Sequence, residues 1–372
     1  MKKNEQVDAM KLRFASSAAA LVCAVGFAGA AGAQSDAVAA IPRPATTTQS
    51  RAASCDRACL EGWVDRYFAA ATADDPKAVP LAQNVRFTEN GQVLPVGEGL
   101  WKSMKSAGKY RLAVADPEAG QIALITTVLE DNADPAQGTP ALLALRLKVA
   151  DGRISEIEQV LERNPQTAQR VEALGMPRAA FTTAIPAAQR MSRAALIETA
   201  NKYFTGMQRN DGKGDYPFSP RCDRIENGGR STNVPTPAGE TRPDPKTARG
   251  YSGQWSCLEQ FQSGLLYFVS RIRDRRYVAV DQERGVVAVF AFFDHMAGST
   301  RDFTRPDGTL TTAGPAQPWT WEILEIFKVE NGQLAEIEAF LTRPPYGMLS
   351  GWSTWEDGMS DEIQDVTGYR PR

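Results

Sequence analysis

The sequence predicts an α+β protein made of two tandem copies of one domain, each an amphipathic helix followed by an antiparallel sheet. Three observations carry this. The stretch Arg221-Cys222-Asp223-Arg224-Ile225-Glu226-Asn227-Gly228 has a shorter echo in Val85-Arg86-Phe87-Thr88-Glu89-Asn90-Gly91. Each is a strand-like run that turns on Asn-Gly, the strongest two-residue hairpin signal. A helix with one apolar face precedes each copy. The run from Leu145 to Arg163 (LRLKVADGRISEIEQVLER) also answers the run from Glu325 to Arg343 (EIFKVENGQLAEIEAFLTR), with the same spacing from turn to Glu158 and to Glu338. Matches that recur in one order along the chain mark an internal duplication.

Taken in order, residues 1–33 read as a secretory signal. Lys11 and Arg13 precede the apolar run from Phe14 to Ala30, and Ala31-Gly32-Ala33 is a small-residue cleavage site. Residues 34–54 are a flexible leader without periodicity. The first domain, 55–163, opens on a helix whose Leu60, Trp63, Val64, Tyr67, Phe68 and Ala71 share one face. Strand candidates follow at 81–88, 110–115, 121–130, 141–149 and 153–162. Residues 164–190, with Pro165, Gly175-Met176-Pro177 and Pro186, read as a linker with short helical turns.

The second domain, 191–345, repeats the plan from an N-cap at Ser192, with Leu196, Ala200, Tyr203, Phe204 and Met207 as the helix face. It adds an insertion, Gly229 to Ser256, and a tail, 346–372, carrying Tyr346, Trp352 and Trp355. Extra loops and aromatic residues mark the second copy as the working half.

Composition excludes several classes. Residues 1–33 hold Lys2, Lys3, Lys11, Arg13, Glu5 and Asp8; without them the chain keeps 38 basic of 42 and 42 acidic of 44, a net charge of −4. A mildly acidic chain without basic blocks points away from nucleic acid and anionic membrane surfaces. No run after the signal is long and apolar enough to span a bilayer, so a periplasmic or secreted protein is expected. The remaining cysteines, Cys55, Cys59, Cys222 and Cys257, are even in number, which in an exported chain favours disulfides. Cys222–Cys257 is the preferred pair. It would staple the insertion, and closing a loop of about 36 residues is worth roughly 3.8 kcal/mol in the chain-entropy model. A second bridge, Cys55–Cys59, would need a distorted first helical turn. No metal site is expected, because the only histidine, His295, is far in sequence from every cysteine. The sequence has no phosphate loop, dinucleotide fingerprint, Gly-x-Ser-x-Gly elbow or His-Glu-x-x-His, so no cofactor is expected.

The order of elements, the Asp-Arg-Tyr-Phe type helix, the Glu-Asn-Gly turn and the closing Gly-Arg-Ile-Ser-Glu-Ile-Glu hairpin resemble the nuclear transport factor 2-like superfamily in its SnoaL-like branch. The resemblance covers roughly 55–163 and 191–343. It implies two cone-shaped domains, each a curved antiparallel sheet covered by helices around an apolar pocket. It also implies sheet-to-sheet pairing, giving a monomer with an internal pseudo-dimer or a homodimer. Members include isomerases, cyclases, dehydratases and lyases beside non-catalytic binders, with no shared catalytic motif, so fold alone does not set function.

The residues suggest cofactor-independent general acid–base chemistry, of the lyase, isomerase or hydratase type, on a small, partly apolar, oxygenated molecule, aromatic ones included. His295, after Asp294 at the end of an apolar strand, could move a proton near neutral pH. Glu226 could act as base if burial raised it, and Tyr203 on the helix face could donate to a developing oxyanion. Asp223, Arg224, Arg273, Trp321 and Tyr267 are candidate binding residues, with Trp319 and Phe268 as further aromatic wall. The bland alternatives are a turn-capping Glu226, a core Tyr203, and Arg271, Arg273, Arg275 and Arg276 on a solvated strand face. Glu156, Glu158, Glu336 and Glu338 read as solvent-facing. A module that binds a small molecule without chemistry is the alternative function.

Overall fold

Asp56 caps the first helix, α1 (Arg57–Thr72), by accepting a hydrogen bond from the Cys59 amide at 2.9 Å. Its apolar stripe buries Leu60, Trp63, Val64, Tyr67 and Phe68 against the first sheet, each large side chain contributing about 1.5–3 kcal/mol. This computed structural model describes residues 55–131, 137–297, 301–305 and 307–368. The expected signal, the leader and the last four residues of the tail lie outside them. The chain divides into two units, and all the described residues belong to the second, Arg51–Arg372.

The first sheet comprises β1 (Leu81–Glu89), β2 (Gln92–Val93), then after a short helix α2 (Leu100–Ser103) the strands β3 (Met104–Asp116), β4 (Gln121–Glu130), β5 (Thr139–Ala150) and β6 (Arg153–Glu162). Their order is β2-β1-β6-β5-β4-β3. Helices α3 (Pro165–Glu172) and α4 (Ala179–Thr182) occupy the linker. The second half runs through α5 (Arg193–Met207), β7 (Phe218–Glu226), β8 (Gly229–Arg230), α6 (Cys257–Gln262), β9 (Arg271–Asp281) and β10 (Val286–His295). A separate ribbon, β11 (Arg301–Thr304) and β12 (Leu310–Ala313), precedes β13 (Trp319–Glu330) and β14 (Gln333–Thr342); the tail holds α7 (Trp355–Met359) and β15 (Ile363–Asp365). The second sheet is ordered β15-β9-β10-β13-β14-β7-β8.

The antiparallel sheets expected from the hairpin signals are in fact mixed. β1 pairs with β6, β7 with β14, and β15 with β9, all in parallel. A tight turn marks an antiparallel neighbour in sequence, whereas a parallel neighbour comes from far along the chain and leaves no local mark. The Asn-Gly turns set this pairing. Asn90 and Gly91 have φ of 47° and 75°, Asn227 and Gly228 of 46° and 76°, the left-handed pair that a type I′ hairpin needs. The Asn90 amide donates to the Gln159 carbonyl and its Oδ1 accepts from the Leu161 amide at 2.7 Å. Asn227 makes the same two contacts, to Ala339 and to Leu341. One asparagine in each half thus stitches the turn to the last strand.

The expected pair of helix-covered cones does not form either. Each half has one long helix, α1 or α5, and the other helices are of eight residues or fewer. The faces turned away from α1 and α5 pack on each other. Leu112, Val114, Ile125 and Leu142 of the first sheet share one core with Val278, Ala288, Phe290, Leu324 and Ile326 of the second, joined by Val171 and Phe181 of the linker.

Two further corrections concern charged groups on the strands. Arg273, Arg275 and Arg276 are buried rather than solvated, and so are Glu156, Glu158 and Glu338. Arg276 reaches Glu158 with both terminal nitrogens, at 2.7 and 2.9 Å, and Arg146 bonds Glu158 and Glu156 at 2.9 and 2.7 Å. Burial pushes the Glu158 carboxyl up, but the two guanidinium groups outweigh it and hold it below its ordinary value. Arg276, Glu158 and Glu338 lie where the two sheets meet, with Tyr110 of the first sheet donating to Glu338; Arg273 is covered by the tail, donating to the Gly358 and Met348 carbonyls, and Arg275 turns to α5, bonding Asn201 and Gln208.

Both disulfides form as Cys55–Cys59 and Cys222–Cys257. The first needs no distorted helical turn, because Cys55 precedes the N-cap residue and lies outside the helix. Trp352 in the tail donates to Thr88 at 2.8 Å, and the Arg146 guanidinium lies 4.3 Å over its ring.

Candidate functional site

In β13 the side chains of Trp321, Ile323, Glu325 and Phe327 alternate toward α5, while Leu324 and Ile326 join the inter-sheet core. A carboxyl therefore sits in an otherwise apolar row. It faces a cavity of about 180 Å³ whose apolar part is lined by Met207, Leu266, Phe268, Phe293 and Trp321. Tyr203, Arg224, Glu226, Tyr251 and Glu325 supply its polar part.

Arg224 is the hub of that polar part. Its Nε donates to Ser231 at 2.9 Å and stands 3.2 Å from Glu226; Nη1 donates to the Tyr203 hydroxyl at 3.0 Å; Nη2 donates to Gln260 at 2.8 Å and to the Tyr251 hydroxyl. Glu226 is part-exposed and opens toward solvent. Tyr251 likewise leaves its ring exposed while its hydroxyl is sunk against Arg224, and burial pushes that hydroxyl up to about 12. Tyr203 is wholly buried and is raised well above its ordinary range by burial.

Glu325 is the carboxyl in the cavity displaced toward neutrality. Burial, with the Glu226 charge adding to it, pushes its carboxyl up to about 8, against the pull of Arg224 and a hydrogen bond with Tyr203. At neutral pH the cavity therefore holds a protonated carboxylic acid beside an Arg–Glu ion pair. Such a group can donate a proton and, once ionised, take one back.

The first half lacks this arrangement, although its strands have matching lengths. Phe87 stands at the place of Arg224, Leu145 at that of Glu325, and Gln159 at that of Ala339. Gln159 fills the space, accepting from Tyr67 at 2.8 Å and donating to Glu89 at 2.9 Å, and Trp101 donates to the Tyr67 hydroxyl at 3.0 Å. Glu89 also accepts from the Leu100 amide at 2.7 Å. The two Glu-Asn-Gly elements thus share a turn but not the use of the glutamate.

Of the residues singled out in the sequence, Tyr203, Arg224, Glu226, Phe268 and Trp321 come together around the cavity. The others do not. Asp294 and Arg273 point to the opposite face of their strands: Asp294 accepts from Arg271 at 2.6 Å, Arg273 at 2.8 Å and Thr320 at 2.8 Å, and these arginines hold it below its ordinary value despite burial. Asp223 pairs with Arg230 at 2.9 Å outside the cavity. Tyr267 is not among the lining residues.

His295 stands behind the wall. Its ring stacks on Trp319 with centroids 3.4 Å apart and on Phe268 at 5.6 Å, edge to Trp321 at 5.3 Å. The Phe293 and Trp319 backbones approach the ring, but neither ring nitrogen has a partner of hydrogen-bond geometry among the described residues. Burial lowers it to about 4, so the imidazole is neutral and serves as a flat spacer. The sequence reading missed Glu325 and Tyr251. The interruption of an apolar alternating row was the signal for Glu325; Tyr251 lies in an irregular insertion with no periodicity to read. Among the described residues no cluster of three or more His, Cys, Asp or Glu has the geometry to hold a metal ion.

A family model described as "Domain of unknown function (DUF8021)" matches residues 53–161 and 189–341. The chain belongs to this family. The two matched segments each span one helix-and-sheet unit, leaving α3 and α4 between them. No curated protein matches the chain. Among solved structures, a protein of Kribbella flavida DSM 17836 is similar at 19% identity, with 31% of this chain and 97% of that chain covered and a TM-score of 0.23. AclR of Streptomyces galilaeus, provisionally described as a hydroxylase, is similar at 16% identity, with 31% and 96% covered and a TM-score of 0.23. A designed protein with a curved β-sheet is similar at 16% identity, with 41% and 88% covered and the same TM-score. Likenesses at this level assign neither fold nor activity. No helix among the described residues is long and apolar enough to cross a membrane.

Proposed function

We propose that the protein is an exported, cofactor-independent enzyme that moves protons on a small, partly apolar, oxygenated molecule in the cavity of its second half. The observation that carries this is Glu325, a carboxyl pushed to about 8 inside a cavity that also holds Glu226, 3.2 Å from the Arg224 guanidinium. Two carboxyl groups with separated protonation states are the minimum for paired acid and base work. Glu226 takes a proton from a carbon next to an oxygenated carbon. Tyr203, oriented by Arg224, donates a hydrogen bond to the oxygen on which charge develops. Glu325 gives its proton to the departing hydroxyl in an elimination, or to a second carbon in an isomerisation. Glu226 then holds the proton taken from the substrate while Glu325 is ionised, and exchange with solvent through the exposed side of Glu226 returns one proton to Glu325 and restores both.

The cavity, at about 180 Å³, is below the roughly 300–1,000 Å³ of sites for drug-sized ligands, so the part of the substrate inside it is small. Export is supported by the signal-like residues 1–33 and by the two disulfides, which persist in oxidising compartments. The repeated helix, turn and hairpin order supports kinship with the SnoaL-like branch; that kinship lends no reaction.

The test is solvent-deuterium incorporation. The chain is incubated in D2O with a panel of small β-hydroxy carbonyl and enone compounds and followed by proton NMR. Exchange or elimination should appear with the wild type and fall about 10²–10⁴-fold in Glu325→Gln and in Glu226→Gln. Unchanged rates in both variants overturn the assignment. A second reading, a non-catalytic binding module, is favoured by the full commitment of Arg224 to protein partners. Native mass spectrometry showing a bound, unconverted ligand alongside no exchange in the wild type would decide for it.

A further inference from the structure

We infer that the site extends beyond its inner cavity and that the outer compartment takes a planar, anionic group of the ligand, an aryl carboxylate being the class that fits. This rests on the acid–base reading of the inner cavity. A cleft of about 340 Å³ is bounded by Arg249, Tyr251, Leu265, Phe268, Pro315 and Trp319. Tyr251 and Phe268 line the inner cavity as well, so the two spaces share a wall. A ligand with its reacting oxygenated end beside Glu325 passes between these two rings into the cleft.

The cleft's chemistry differs from that of the cavity. Its walls are flat and apolar, and among the described residues no acidic side chain lines it. Trp319 is held rigid by its stack on His295, with centroids 3.4 Å apart, and Phe268 flanks the same histidine. That gives the histidine a use consistent with its unpartnered nitrogens: it sets the orientation of both aromatic walls. His295 and the Arg343 guanidinium already cover the Trp319 ring, so a planar ligand ring meets its edge, a favoured aromatic geometry.

The charge comes from Arg249, which is exposed and has no hydrogen-bond or ion-pair partner among the described residues. Arg343, whose guanidinium lies 4.5 Å over the Trp319 ring, also has no carboxylate partner there. Among the described residues most arginines are ion-paired, including Arg224, Arg242, Arg271, Arg273 and Arg276. Two guanidinium groups without a carboxylate partner beside one aromatic wall, with no acid among its described lining residues, point to an anionic ligand group, with which arginine forms strong, directional bonds. Arg249 and Tyr251 both lie on the insertion that Cys222–Cys257 staples and the first half lacks. The insertion thereby supplies both the cation and the shared wall.

The probe is 4-(hydroxymethyl)benzoate, whose hydroxymethyl group enters the cavity while its carboxylate reaches Arg249, compared with the neutral 4-(hydroxymethyl)benzamide. Titration calorimetry on the disulfide-intact chain should show the benzoate binding at least tenfold tighter than the amide. Arg249→Gln should reduce that ratio to below threefold, and Arg249→Lys should keep most of it. Glu325→Gln should leave the ratio unchanged, because it lies in the other compartment. Equal affinities in the wild type, a ratio indifferent to Arg249→Gln, or no binding of either compound at millimolar concentration overturns the inference. If the ratio behaves as stated but Glu325→Gln and Glu226→Gln keep full proton exchange, the acid–base reading fails while the outer compartment stands.

Discussion

Replacing Glu325 by Gln should remove a large pH dependence from the stability of the fold. The folded chain holds the Glu325 proton up to about pH 8, against an ordinary value of 4.5. A carboxyl raised in this way stabilises the fold fully below its unfolded value and loses that contribution as pH rises through the folded one. A displacement from 4.5 to about 8 corresponds to about 5 kcal/mol in total, at 1.36 kcal/mol for each pH unit. Between pH 5.5 and 7.5 the wild type should therefore lose about 3 kcal/mol relative to Glu325→Gln, which has the same shape and no charge to lose. Glu322, in the inter-sheet layer, is also pushed to about 8 by burial and adds its own slope, but it does so in both proteins and cancels in the comparison. Urea unfolding at three pH values, with the disulfides intact, reads the difference. A gap between the two proteins that stays constant within about 0.5 kcal/mol across this range would refute the burial account of Glu325.

Three other outcomes follow from the same geometry. Arg224→Met should cost about 3–5 kcal/mol in urea unfolding, because it strands Glu226 without its ion partner and Gln260 and two tyrosine hydroxyls without theirs; a cost below about 1 kcal/mol would show that the hub is not needed. The double change Cys222→Ser with Cys257→Ser should lower stability by roughly 3–4 kcal/mol, against about 2 for the short Cys55–Cys59 loop, as loop-closure entropy predicts, and thermal melts of both pairs will rank them. His295→Phe should change stability by less than about 1.5 kcal/mol and leave the pH profile of any activity unmoved, since the ring is a neutral spacer in an aromatic stack; a lost acid limb in that profile would restore histidine as the proton carrier.

The duplication was legible because turns are local. Asn90-Gly91 and Asn227-Gly228 announce themselves by residue type, and both adopt the backbone that this pair favours. What no local signal carried was the partner of each strand: β1 and β7 join β6 and β14, far away in sequence, through asparagine side chains whose reach cannot be read from spacing. The same blindness put Arg276 and Glu158 in solvent, although each is the other's partner across two sheets. At the site, the residues next to the Glu-Asn-Gly turn were found, and Tyr203 with them. The carboxyl that burial pushes toward neutrality there, Glu325, lies on another strand in a run dominated by Ile, Leu and Phe. Comparing the halves position by position exposes it, since Leu145 is what that place holds when no cavity is needed.

Carboxyl-carbon NMR on protein carrying labelled glutamate tests the central claim most directly, with Glu325→Gln used to assign the signal. The account predicts that the Glu325 resonance titrates with a midpoint near 8. A midpoint in the ordinary range near 4.5 would mean that Glu325 is ionised at neutral pH, and the proposed proton donor would not exist.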